Sequence, residues 1–160
     1  MSQAMALKQF LDRHHHNLLA VFPGTSPFRK VPEYFLQFFR EKTRPFNSPD
    51  FITRKNRKGI CIFKSIAYNL TKTLTFRKEI KRITDEIIRL NPDFVINFYD
   101  PVGALVIRRI PDRITTVAIS HHFYFAHHDF IYPKGFPVQK MLLKVLNRII
   151  RKGCDRVGAL

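Results

Sequence analysis

A chain of 160 residues with 45% hydrophobic content is long enough to fill one core, so we expect a single domain over residues 1–160. Its 28 Lys and Arg against 12 Asp and Glu give a formal charge of +16, which favours anionic partners: phosphate-bearing substrates, an anionic membrane surface or nucleic acid. The longest apolar stretch, residues 94–107, is interrupted by polar residues and is too short to span a bilayer, which excludes a transmembrane helix there.

The first half of the chain predicts three helical segments and one strand. Apolar residues recur at helical spacing over residues 4–11. Residues 18–22 are a short apolar run that Pro and Gly end, which is typical of a buried strand followed by a turn. Residues 31–39 predict a short, aromatic-rich helix. Residues 60–90 predict a long helical segment, broken near residues 71–75, where three threonines lower the helix propensity.

The second half alternates strands and helices. Residues 94–99 and 115–120 predict strands, residues 102–109 a short helix between them, and residues 138–150 the most regular amphipathic helix of the chain. Residues 156–160 read as the opening of a further strand. This alternation predicts an α/β fold with a doubly wound parallel sheet. Because the first predicted element is a helix, we expect the central first strand and its glycine-rich loop to be lacking.

Polar side chains follow the predicted strands, as they do where parallel sheets bind ligands. Gly24, Thr25 and Ser26 with Arg29 form a loop that offers hydroxyls, backbone amides and a cation to a phosphate or a sugar hydroxyl. The Pro and Gly residues here also fit a strand-to-helix turn that only redirects the chain, and both interpretations stay open.

The next predicted strand ends in Asn97, Tyr99 and Asp100, all candidates for contact with a substrate. Asp100 has two interpretations. It is the acidic residue beside the expected crevice and a weak candidate for orienting an acceptor hydroxyl. It also precedes Pro101 and is a good cap for the helix that starts at Val102.

Four histidines follow the third predicted strand. They are His121, His122, His127 and His128, with Asp129 directly after them. A metal site is disfavoured, because neither a His-Glu-x-x-His motif nor a Cys/His array is present. A general base at the strand end is a second interpretation, with His121 the best candidate, since an ordinary histidine titrates near neutrality. Histidines that satisfy loop backbone groups are the third interpretation.

Residues 40–75 combine basic side chains with neighbouring aromatic ones and predict a membrane-proximal insertion. The aromatic run before them is bordered by Arg40, Lys42 and Arg44, which suits either a buried core or a surface that meets anionic lipid. Cys61 and Cys154 lack disulfide or metal spacing, so we interpret them as core residues. The first 16 residues lack the apolar core of a secretory signal. We expect a cytoplasmic protein, peripheral at the inner face of the cytoplasmic membrane when it binds lipid.

Taken together, these motifs resemble the amino-terminal domain of bacterial GT-B glycosyltransferases, the group related to the N-acetylglucosaminyltransferase that acts on lipid-linked peptidoglycan precursors. The resemblance covers nearly the whole chain and rests on Gly24-Thr-Ser-Pro-Phe-Arg29, Ile96-Asn-Phe-Tyr99 and the later His121, His127, Asp129 and Phe130. The chain departs from the family pattern at His122, where Gln is expected, and at His128, where Pro is expected.

The resemblance implies an acceptor-binding half of a two-domain enzyme. The acceptor would be a lipid-linked or cell-envelope glycan, and the resemblance places His121 on the histidine-bearing loop of the family. No cofactor is implied, and the nucleotide-sugar donor would be held mainly by a second domain, so the chain alone would be inactive. Two alternatives of another class remain: a non-enzymatic basic module for an anionic membrane surface, or one for nucleic acid. The latter is disfavoured because the chain lacks an RNP, zinc-finger or helix-turn-helix signature.

Overall fold

The structure, a computed structural model, describes residues 2–53, 61–120, 122, 123, 130 and 137–158. Over these residues the chain is mixed α/β, with all paired strands parallel in one two-stranded and one three-stranded sheet. The coarse prediction of an α/β fold with parallel sheets is therefore confirmed. The chain divides into two compact units, Met1–Glu79 and Ile80–Leu160, and the expectation of one domain stays a prediction. Within the described residues, no helix has the length and apolarity that crossing a membrane requires.

The first unit contains short strands among helices. Its elements in chain order are α1 (Ser2–Arg13), β1 (Gly24–Thr25), α2 (Glu33–Phe39), a 3-10 turn (Arg40–Lys42), β2 (Phe46–Asn47), α3 (Ile62–Thr71) and the start of α4 (Thr73–Leu90). Strands β1 and β2 pair in parallel. The predicted helix break is confirmed, because α3 ends one residue before Lys72 and α4 begins one residue after it.

The predicted strand at residues 18–22 is misplaced. In that segment only Val21 makes a bridge, to Thr43, and the strand proper is Gly24–Thr25. The reason is the close approach that glycine allows: a Cβ on Gly24 would lie 2.6 Å from the Cβ of Ser48. The pairing with β2 thus begins at a residue that lacks a side chain, and an apolar run does not reveal that position.

The aromatic run of α2 divides between core and surface. Phe35 and Phe39 are buried and their ring centroids lie 4.5 Å apart, whereas Tyr34 is exposed. An aromatic pair at this separation packs favourably beyond its buried area. The core interpretation is therefore confirmed for the two phenylalanines.

The second unit is a three-stranded parallel sheet with its helices. Its elements are the end of α4, β3 (Phe94–Asn97), α5 (Pro101–Ile107), β4 (Thr115–Ile119), α6 (Pro137–Arg151) and β5 (Arg156–Gly158). The strand order is β3-β4-β5. Every predicted element of this half is confirmed, and the opening of a strand at residue 156 pairs with β4.

The core of the second unit lies where α5, β4 and α6 pack together. Ala104, Ala118 and Ile150 are fully buried there. Because alanine side chains are small, helix and strand backbones approach closely, and the branched Ile150 fills the remaining space. Tyr99 and Cys154 are partly buried against the same cluster, so the turn after β3 is continuous with the core.

The start of β5 is fixed to β4 by Asp155. Its carboxylate accepts hydrogen bonds from the backbone N–H of Thr116 at 2.7 Å and from the Thr116 hydroxyl at 2.9 Å. These bonds hold the pKa of the Asp155 carboxyl below its usual value, first through the backbone N–H and then through the hydroxyl. Burial, and then the nearby Asp155 charge, raise the pKa of the Cys154 thiol, which suits a packing residue rather than a reactive one.

Candidate functional site

The carboxyl ends of β3 and β4 bring Tyr99 and His122 together. The two strands are in register, Asn97 opposite Ala118, so the turns that follow them leave the same edge of the sheet. The Tyr99 and His122 rings stack with centroids 4.7 Å apart and planes 24° apart, and Phe123 meets Tyr99 edge-on at 5.4 Å. The expected convergence of two strand-end turns is confirmed for this pair.

The turn that carries Tyr99 is closed by Asn97. The buried Asn97 amide donates to the carbonyl of Asp100 at 3.0 Å and accepts from the Asp100 backbone N–H at 2.8 Å. Within this turn Tyr99 has a φ of +58°, a left-handed conformation that costs a non-glycine residue roughly 1–3 kcal/mol. The asparagine bonds hold that backbone conformation, and a hydrogen bond from the Tyr99 hydroxyl to Asn147 orients the ring.

Asp100 caps α5. One oxygen of its carboxylate accepts from the backbone N–H groups of Val102 at 2.8 Å and Gly103 at 2.9 Å. The helix begins at Pro101, one residue earlier than expected. The capping interpretation is thereby confirmed, while the role of Asp100 toward an acceptor hydroxyl stays a prediction.

Two buried polar residues that sequence reasoning missed position His122. The Oγ of Ser120 lies 3.0 Å from His122 Nδ1 and also accepts from the His122 backbone N–H at 3.0 Å. Asn147 of α6 accepts from the Tyr99 hydroxyl and donates to the His122 carbonyl at 3.5 Å. We call Asn97, Tyr99, Asp100, Ser120, His122 and Asn147 the strand-end cluster.

A sequence signal for Asn147 existed. In α6 it lies four residues after Leu143 and three before Ile150, on the side that the helix buries. A buried amide needs hydrogen-bond partners, so an asparagine at such a position indicates a polar contact inside the fold. For Ser120 the signal was its place as the last residue of the predicted strand, where a hydroxyl meets the first loop amides.

The strand-end cluster is a polar site with an aromatic wall, and the Asp100 carboxylate within it is engaged in capping α5. Because Ser120 engages His122 Nδ1, an exchange of a proton with a ligand would go through Nε2 on the other side of the ring. The predicted residues His121, His127, His128 and Asp129 lie outside the described residues. Over the part of the chain that the structure describes, no three His, Cys, Asp or Glu side chains are grouped in a way that could hold a metal ion.

The predicted loop of the first unit forms an internally bonded turn. The Thr25 hydroxyl donates to the carbonyl of Phe46 at 2.9 Å, and the Ser26 hydroxyl donates to the carboxylate of Asp50. Ser26 and Arg29 exchange two backbone hydrogen bonds, at 2.9 and 3.1 Å. The turn-geometry interpretation accounts for these contacts, and a phosphate beside Ser26 would meet the Asp50 carboxylate.

Comparisons with known proteins assign neither a family nor a function to the chain. No protein-family model, no curated protein and no solved structure matches the chain. The functional argument therefore depends on the strand-end cluster, whose residues the sheet itself brings together.

Proposed function

We propose that the chain is a glycosyltransferase-like lobe that binds the sugar acceptor at the strand-end cluster. In this proposal the fold is the doubly wound, Rossmann-like amino-terminal lobe of a GT-B enzyme. The observation that carries it is the stacked pair of Tyr99 and His122 at the carboxyl edge of a parallel sheet. In open α/β sheets that edge is where ligands bind.

A sugar suits this edge because it presents two kinds of surface. The C–H face of a pyranose packs on an aromatic ring, whose face carries the negative part of the quadrupole. Its hydroxyls need hydrogen-bonding groups at defined positions, and ligand pockets lined mainly by apolar side chains typically carry a few such groups. The cluster offers the Tyr99 ring and the imidazole of His122, and the buried Asn147 amide holds both in place.

The proposed chemistry is an inverting sugar transfer in which this lobe supplies the acceptor side. One group must take the proton from the acceptor hydroxyl, and positive groups must neutralise the departing diphosphate. From its place at a strand end, His121 is the candidate base, and Asp100 is a second candidate, for orienting the hydroxyl. The nucleotide-sugar donor is assigned to a second domain, so the activity expected of residues 1–160 alone is acceptor binding.

Saturation-transfer NMR with a soluble N-acetylglucosamine disaccharide and the full chain tests this proposal. We expect a signal with the wild-type protein that Tyr99→Leu reduces at least tenfold. His122→Asn, which keeps a polar atom near Ser120 but removes the ring, should also weaken it. The matched control is Tyr34→Leu, at an exposed tyrosine of α2, which should leave the signal unchanged.

The result that contradicts the proposal is equally specific. If Tyr99→Leu and His122→Asn keep their far-UV spectra and bind the disaccharide as the wild type does, the cluster is not the sugar site. An absence of any signal at millimolar disaccharide also argues against it. A salt-dependent shift of random-sequence RNA or DNA at micromolar protein would instead favour a nucleic-acid module.

A further inference from the structure

Helix α3 turns its polar side inward and its apolar side outward. Four large side chains are exposed along α3 and the first turn of α4, and we call them the α3 stripe: Phe63 (84%), Ile66 (46%), Leu70 (67%) and Leu74 (71%). The spacings of Phe63, Ile66 and Leu70 place them along one side of α3, and Leu74 follows in the first turn of α4. An apolar row of this length is unusual on a surface that only meets water.

The opposite side of α3 is held by polar contacts. The Ser65 hydroxyl accepts from the Ile52 backbone N–H at 2.8 Å and donates to the carbonyl of Cys61 at 2.9 Å. The Asn69 amide donates to the Asp50 carbonyl at 2.9 Å and accepts from the Asp50 backbone N–H at 3.2 Å. These bonds fix the rotation of α3 about its axis, so the apolar side that carries the stripe faces outward.

The charged side chains of the segment that carries the stripe all have one sign. Residues 61–78 contain four cations and no Asp or Glu, and each of the four is exposed: Lys64, Lys72, Arg77 and Lys78. Cations with long aliphatic stems that border an apolar row are typical of a helix lying at the headgroup region of a bilayer. Each cation near an anionic leaflet adds to the attraction, which falls off within a Debye length.

We propose that the α3 stripe docks on the surface of an anionic lipid bilayer. The apolar side chains enter the boundary between headgroups and acyl chains, and the four cations meet lipid phosphates and carboxylates. This surface is independent of the strand-end cluster, because all its residues lie in the first unit and it requires no sugar.

Charge and side-chain type argue against other occupants of the stripe. Two copies of the chain joined through the stripe would bring four cations from each into one interface, and like charges opposed in this way disfavour association. Single-stranded nucleic acid prefers aromatic platforms for its bases, whereas three of the four stripe residues are aliphatic. A bilayer needs neither stacking nor a shaped partner, and it supplies apolar depth and uniform negative charge together.

Liposome flotation with the full chain tests the proposal. We expect flotation with vesicles of phosphatidylcholine and phosphatidylglycerol, little with phosphatidylcholine alone, and release at high salt. Phe63→Gln combined with Leu70→Gln should lower the partition coefficient at least tenfold. The control, Met141→Gln combined with Val145→Gln, changes two exposed apolar residues of α6 and should partition as the wild type does.

Three outcomes would overturn the proposal. The first is that the wild type does not float with anionic vesicles. The second is that the α3 double variant floats as well as the wild type. The third is that the wild type sediments as a dimer and the double variant changes that sedimentation without changing vesicle binding. The variants sit at exposed positions, so a far-UV spectrum unlike the wild type is not expected. Saccharide binding by the α3 double variant is predicted to be intact, which separates a failure here from a failure at the strand-end cluster.

Discussion

Replacing Asp100 in two ways separates its capping contact from a chemical role. Asp100→Ala removes both hydrogen bonds to the first turn of α5, from Val102 N–H and Gly103 N–H. Asp100→Asn keeps an acceptor oxygen in the same place and removes only the charge. Asparagine and aspartate are about equally good capping residues.

The expected magnitudes follow from these contacts. Loss of a capping side chain costs about 1 kcal/mol, and loss of a negative charge at a helix N-terminus costs roughly 0.3–1 kcal/mol more. Asp100→Ala should therefore lower the free energy of unfolding by about 1–2 kcal/mol, and Asp100→Asn by less than about 1 kcal/mol. Since about 1.4 kcal/mol is a tenfold change in an equilibrium, the Val102 and Gly103 amides, which lose their acceptor in the alanine variant, should exchange roughly tenfold faster.

Hydrogen exchange at these two amides, with urea unfolding followed by circular dichroism, measures both effects. The wild type and Asp100→Asn should protect Val102 and Gly103 similarly, and Asp100→Ala should not. If the asparagine variant loses protection to the same extent as the alanine variant, the carboxylate acts through its charge and the capping argument is wrong. If neither variant loses protection, Asp100 is available for the acceptor role.

Two further perturbations test the second unit. Thr116 holds the pKa of Asp155 below its usual value, so in acid the folded state binds fewer protons than the unfolded state. The resulting stabilisation is present at neutral pH and is lost as the pH falls below about 3.9 through the folded pKa. Asp155→Asn should remove this pH-dependent part, so a difference in urea midpoints between wild type and variant that stays constant from pH 7 to pH 3 would contradict it. Ile150→Ala, at a side chain with 0% exposure, should cost about 3 kcal/mol of unfolding free energy, and Val145→Ala, at a half-exposed position, less than about 1 kcal/mol; similar losses for both would show that Ile150 is not a core contact.

Periodicity predicted the second unit because each of its elements buries one apolar side. The strands β3 and β4 and the helix α6 all appear within a residue or two of their expected bounds. The two-residue strand β1 is different. It exists because Gly24 allows Ser48 to approach, and that is a property of two segments 24 residues apart rather than of a local pattern.

The strand-end cluster was predictable only in part. Tyr99 and His122 follow from the rule that side chains after parallel strands share an edge. Asn147 does not, because it lies 48 residues from Tyr99 along the chain and reaches it only once α6 packs on the sheet. Sequence reasoning therefore found the residues that face the edge and missed those that hold them in place.

Helix α3 was predicted as a helix, yet which side it buries depends on two competing free energies. Its polar side satisfies three backbone groups, the Asp50 N–H and carbonyl and the Ile52 N–H, and leaving these unsatisfied costs about 1–3 kcal/mol each, or roughly 3–9 kcal/mol. Burying the exposed part of the four stripe side chains, 46–84% of each, would contribute about 1–2 kcal/mol each, or roughly 4–8 kcal/mol. Since the two totals overlap, a helix that faced only water would gain about as much by rotating. On a bilayer surface the two free energies no longer compete, because Asp50 and Ile52 keep their hydrogen bonds to α3 while lipid covers the stripe.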